Sequence, residues 1–116
     1  MKVLHLNTYD TAGGAAIASK RLHLSMLKLG IKSEMWVNVR KSDEWSIKGP
    51  KSDLGKFFAL YKSHLVKPLL KLMKADDPIL HSLGILPSNW VKKINQSDFD
   101  IVNLHWVQGE MLSIKD

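Results

Sequence analysis

The sequence predicts an α/β protein built on a Rossmann-like parallel sheet with flanking helices. Three observations carry that prediction. The chain opens on a short apolar segment, Lys2 to Asn7, that runs into a glycine-containing turn; a helical pattern of roughly fifteen residues follows; and "SEMWVNV", Ser33 to Val39, then alternates polar and apolar side chains. Strand, helix and strand joined by short turns make a βαβ unit, whose strands are parallel and whose crossover is right-handed.

Composition sets the outer bounds. At 116 residues the chain is one domain or part of one, and 45% hydrophobic with 24% charged residues is an ordinary globular balance that excludes wholesale disorder. The absence of cysteine removes disulfides, cysteine-based zinc sites and thiol nucleophiles together. "VLHL" after Lys2 is too short for the core of a signal peptide or for a membrane span, so the expected location is the cytoplasm. A formal net charge of +6 and a pI near 9.6 favour anionic partners without choosing among nucleic acid, phosphosugars and acidic lipid.

Taken in order, Lys2 to Asn7 reads as a buried strand and Asp10 to Gly14 as the turn behind it. In the helix, Ala15, Ala18, Leu22, Ser25, Met26 and Leu29 recur at three- and four-residue steps and predict the buried stripe. Lys20, His23 and Lys28 are expected to face outward, and Gly30 to end the helix. At the other end of the chain, "DIVNLHW", Asp100 to Trp106, is a β-branched strand preceded by a short helix around Ser88 to Ile94.

The region between differs in character and predicts a helical insertion at about 51–96. A short strand is expected near Trp45 to Ile47. Ser52-Asp53 then starts a long helix that Pro68 should interrupt or kink. On a helical wheel Lys56, Lys67, Lys71 and Lys74 share one side, while Phe58, Leu65, Leu69, Leu72 and Met73 gather opposite. Such a face is either the solvated side of a helix packed on the sheet or a contact to an anionic membrane surface.

The glycine pair Gly13-Gly14 is the first candidate for chemistry. In an open parallel sheet, ligands collect outside the carboxyl ends of the strands, and the loop after the first strand commonly receives a phosphate. Glycines there permit positive φ and close approach, and the amides opening the next helix attract anionic oxygen. The alternative is a tight turn that packs Ala15 and Ala16 on the sheet. A dinucleotide site is disfavoured, because "TAGGAA" lacks the G-x-G-x-x-G spacing and Arg40, not an acid, ends the second strand; "LGKFF" fails as a P-loop.

Together, "KVLHLNTYDTAGGAAIASKRLHLSMLKLGIKSEMWV" and "FDIVNLHWVQGEMLSI" resemble the N-terminal domain of family 4 glycosyltransferases, retaining enzymes of the GT-B fold. The resemblance covers Lys2 to about Arg40 and Asp98 to Ile114. It implies sugar transfer from a nucleotide-sugar donor to a saccharide or lipid-linked acceptor in surface polysaccharide assembly, with neither metal nor organic cofactor. By the same resemblance Gly13 and Gly14 lie beside the donor diphosphate and the acceptor, Asn7 ends the first strand on the cleft, His105 is the catalytic candidate, and Trp106 and Gly109 belong to the loop that follows it. Read on its own, without the resemblance, His105 is better taken as a half-buried strand-end histidine with a backbone partner.

One departure from the family pattern is large. The nucleotide-binding domain of GT-B enzymes carries E-x₇-E, whereas Glu34, Glu44 and Glu110 have no such spacing, so the chain is expected to be an incomplete N-terminal domain that transfers no sugar alone. The rival class is a small basic module that holds nucleic acid or an anionic membrane. Trp36, Trp45, Trp90 and Trp106 are scattered over strand, loop and helix, which makes a base-stacking platform and hence nucleic acid the weaker alternative. The five histidines show no metal-site spacing, G-x-S-x-G is absent, and an exposed sheet edge predicts some self-association.

Overall fold

The computed structural model describes residues 1–72, 84–113 and 115. Strand β1 is Lys2–Tyr9, helix α1 Gly14–Lys28, β2 Lys32–Val39, β3 Ile47–Lys48, helix α2 Asp53–Leu72, α3 Trp90–Asn95 and β4 Ile101–Leu104. The four strands form one sheet in the order β3-β2-β1-β4, and every pairing is parallel. The chain is therefore an α/β protein with a parallel sheet and flanking helices.

β1 and β2 are the two interior strands, and with neighbours on both edges of β1, Val3 to Thr8 are all buried, the polar His5, Asn7 and Thr8 included. The odd residues of β1 face α1, since the His5 ring meets His23 of that helix, so Leu4 and Leu6 point to the opposite layer. That second layer contains α3, where Trp90 lies 6.0 Å from Trp36 and donates its indole N–H to the Asn38 side-chain oxygen at 3.1 Å. Leu4, Leu6, Met35, Val37 and Ile47 are the apolar centre, each fully buried. Each is worth about 2 kcal/mol in transfer terms.

β1 runs two residues beyond the expected Asn7. The extension follows from pairing on both sides: Tyr9 is opposite Val39, and the Thr8 amide donates to the Trp106 carbonyl at 2.7 Å. Ladder bonds from Asp100 N–H to Lys2 and from His105 N–H to Leu6 likewise carry the β1–β4 contact over the full predicted strand, Asp100 to Trp106.

The buried stripe of α1 is not the predicted one. Ala16, Ser19 and His23 are buried, whereas Ala18, Leu22, Ser25 and Leu29 are exposed, so His23 faces the core and not solvent. Small residues let the helix approach the sheet closely, and His23 is accommodated by hydrogen bonds: its Nδ1 lies 2.7 Å from the Ser33 hydroxyl and its Nε2 2.8 Å from that of Ser46. A stripe chosen by hydrophobicity misses a core face made of alanine, serine and a satisfied histidine.

In the predicted insertion, α2 continues through Pro68 and packs on β2. Pro68 forgoes one backbone hydrogen bond there without ending the helix. Val66 is buried, but Phe58 and Leu65 are 54% and 58% exposed, so the side opposite the lysines is not covered by the sheet. Lys56 and Lys67 are exposed; the side chains of Lys71, Leu69 and Leu72, and residues Met73 and Lys74 as a whole, lie outside the described residues. Among the described residues no helix is long and apolar enough to cross a membrane.

Candidate functional site

The carboxyl ends of β1 and β4 meet at a cleft of about 530 Å³ lined by Asn7, Tyr9, Ala12, Gly13, Gly14, Ala15, Ala16 and Trp106. Four of the residues proposed for substrate or catalysis are thus in one place: Gly13, Gly14, Asn7 and Trp106. Adjacent parallel strands explain the convergence, since both chain crossings leave the sheet at the same end. Trp106 is 45% exposed and forms an apolar wall.

The two glycines differ in what the fold asks of them. Gly13 has φ 84° and ψ 164°, a backbone region essentially restricted to glycine, and it caps α1 with no side chain. Gly14 is the first helical residue, has no positive φ, and a Cβ built on it would meet nothing within 4 Å. Turn geometry therefore accounts for Gly13 and not for Gly14. With no capping side chain and no acidic residue in the first turn, the amides that open α1 face the cleft side of the fold with their donor capacity unspent.

Asn7 lines the cleft, but its side chain is occupied as a fastener. Its Oδ1 accepts the Trp106 amide at 2.8 Å and its Nδ2 donates to the Tyr9 carbonyl at 2.6 Å. The Thr8 hydroxyl supports the same junction, within 2.8 Å of the Trp106 carbonyl and 2.9 Å of that of Gln108. Asn7 and Thr8 thus set the position of the Trp106 ring.

His105 and Gly109 are not among the residues lining the cleft. Gly109, at φ 72°, turns the chain after β4. The His105 ring stacks on His5 with centroids 5.2 Å apart, its Nε2 3.0 Å from His5 Nδ1. His5 is fully buried and is held low, at about 4, first by burial and then by His105 and His23; burial also lowers His105. Both rings are therefore neutral near pH 7 and share one proton between them. His5 Nε2 is buried without a partner, and a bare lone pair is cheaper to bury than an orphan N–H. We assign the proton to His5 Nδ1, donating to His105 Nε2, which leaves the His105 proton on Nδ1.

His23 completes the cluster. Its ring lies 6.0 Å from His5, and burial lowers its pKa although Glu44 and Glu34 pull the other way. Ser46 Oγ donates to Glu44 at 3.2 Å and so accepts from His23 Nε2–H, while Ser33 donates to Nδ1. Among the described residues, no group of three His, Cys, Asp or Glu side chains is arranged to hold a metal ion.

Two carboxylates that sequence reasoning did not single out shape the surroundings. Asp10, buried between β1 and the glycine turn, accepts the amides of Lys41 and Ser42 at 2.9 and 2.7 Å and the Ser42 hydroxyl at 2.6 Å. Burial raises its pKa, but these donors outweigh it and the net shift is downward. Glu110, buried and at φ 62°, accepts the amides of Gly84, Ile85 and Leu86. Their partners are backbone amides, which leave no mark in residue spacing.

Comparison of the chain with protein-family models, with curated proteins and with solved structures finds no match.

Proposed function

We propose that the chain supplies the N-terminal, acceptor-side domain of a retaining glycosyltransferase of the GT-B type, acting in the transfer of a sugar from a nucleotide-sugar donor to a saccharide or lipid-linked acceptor of surface polysaccharide. The observation that carries the reading is Gly14: a glycine the fold does not require, at the mouth of a cleft walled by Trp106 and opened by uncapped helix amides. Charge on a departing diphosphate is stabilised by such amides, and the indole face suits the apolar side of a sugar ring. His105, held against His5 and one residue before Trp106, is proposed as the catalytic side chain, its Nδ1–H the donor to a sugar hydroxyl.

Saturation-transfer NMR tests this. Nucleoside diphosphate and hexose acceptors are expected to give transfer in the wild type and to lose it in Gly14→Val and Trp106→Ala, with folding checked by circular dichroism. Equal transfer in all three proteins would refute the assignment. Steady turnover of nucleotide sugars by this chain alone is not expected.

A second reading is favoured by α2, whose Leu54, Phe57, Leu60 and Tyr61 are all exposed on a helix that also carries exposed Lys56 and Lys67. An aromatic and aliphatic face beside lysines suits adsorption on an anionic membrane. That contact would place the cleft near a lipid-linked acceptor. Co-sedimentation with liposomes that rises with anionic lipid content and falls in Phe57→Asp supports it; sedimentation indifferent to both excludes it.

A further inference from the structure

A second cavity, of about 640 Å³, opens at the carboxyl end of β2 and shares no lining residue with the glycine cleft. Its walls come from the end of β2 and the residues after it, from the Gly49–Lys51 turn, and from Lys56 and Leu60 of α2. Arg40, Lys41, Lys51 and Lys56 bring four cations to this lining against the single carboxylate of Asp43.

Three of these four charges meet no acidic side chain. Among the described residues Arg40, Lys41 and Lys51 form no salt bridge; the ion pairs are made by Lys2, Lys48 and the amino terminus. Arg40 is instead held by neutral carbonyls, Nε donating to Ser42 at 3.0 Å and Nη2 to Glu44 at 3.2 Å, which orients the guanidinium and leaves its other donors available. Asp10 is spent on the amides of Lys41 and Ser42.

The wall is also built for close approach. A Cβ at Gly49 would lie 2.8 Å from the Arg40 Cβ, so only glycine lets the turn close against the arginine stem. In open parallel sheets, ligands bind in crevices outside the carboxyl ends of the strands, which is where this cavity lies. We propose that this cavity is a binding site for a phosphate or diphosphate group. Even with Lys56 left aside, Arg40, Lys41 and Lys51 against the one carboxylate of Asp43 match a group carrying two or more negative charges better than a single carboxylate, and an oriented guanidinium can take two of its oxygens at once. The inference stands on this cavity alone and holds whether or not the glycine cleft takes a sugar.

The test is a titration of the full chain with inorganic pyrophosphate, followed by amide NMR and calorimetry. Shifts are expected at Arg40–Asp43 and Gly49–Lys51, with an affinity that falls about tenfold in Arg40→Gln and again in Lys51→Gln, and is unchanged in Lys28→Gln, which removes an exposed charge at the end of α1, outside the cavity. Shifts at Gly13–Ala16 would report the glycine cleft separately. Phosphatidic acid vesicles identify the source: capture that pyrophosphate competes away, and that Arg40→Gln abolishes, assigns the phosphate to a lipid headgroup, and pyrophosphate binding without capture assigns it to a soluble ligand. Absence of shifts in the β2 loop, or equal weakening by Lys28→Gln and Arg40→Gln, would overturn the proposal, the latter because diffuse charge suffices.

Discussion

Replacing His5 by asparagine should flatten the acid limb of the stability curve. The imidazole titrates at 6.5 in an unfolded chain and at about 4 in the fold, chiefly because burial disfavours its charged form. Between those values the unfolded chain takes up a proton that the native state refuses. The stabilising difference is complete above pH 6.5, erodes as pH falls, and stops changing below about 4. At about 1.4 kcal/mol per pH unit, the interval amounts to roughly 3 kcal/mol, a large share of the stability of a small domain. Asparagine reproduces the donor to His105 Nε2 but cannot titrate. Urea midpoints at pH 7.5, 6, 5 and 4.5 should show wild type losing more stability than His5→Asn, by most of that amount. His23 and His105 are lowered too and contribute acid sensitivity to both proteins, so only the difference between the two curves is diagnostic. An independent check is the His5 Hε1 resonance, which should stay at its neutral position down to pH 5. Parallel curves, or a His5 that titrates near 6.5, would refute the buried neutral pair.

The remaining predictions concern the loops. Gly13→Ala should cost about 2 kcal/mol because its backbone region excludes a Cβ, whereas Gly14→Ala should leave stability unchanged or raise it by up to about 1 kcal/mol through helix propensity, as thermal melts will show. Asp10→Ala should cost about 3 kcal/mol by chemical denaturation, since it strands two amides and a hydroxyl, and hydrogen exchange at Lys41 and Ser42 should accelerate with it. Glu110→Gln should cost about 1 to 2 kcal/mol by losing a charged acceptor for three amides, and faster exchange should be confined largely to Gly84–Leu86; global acceleration would argue against a local clamp.

The parallel sheet was legible because its signals are local. An apolar opening run, a glycine turn, a helical period and the alternation of β2 determine a βαβ unit before any long-range contact is considered, and β4 is marked by its β-branched residues although Ile101, Val102 and Leu104 are exposed. The short β3 was expected two residues early, and its pairing of Ile47 with Met35 is a tertiary fact. The face of α1 was misread because Ser19 and His23 look like surface residues until Ser33 and Ser46, which arrive from other segments, satisfy the ring. Within the site, the glycine turn was named because ligands collect at strand ends in parallel sheets, whereas Trp106 was named only through the family resemblance. The His5–His105 pair required knowing that β1 and β4 are neighbours, and Asp10 and Glu110 act on main-chain donors that no motif encodes.

The Asp10 carboxylate bridges the segment leaving β1 and the segment leaving β2, so the two cavities at that end of the sheet cannot drift apart independently. A molecule long enough to occupy both would be measured against a fixed span, and one slightly too short or too long would forfeit one of its two footholds. Selectivity of that kind comes from spacing, and a single buried acid sets the gauge.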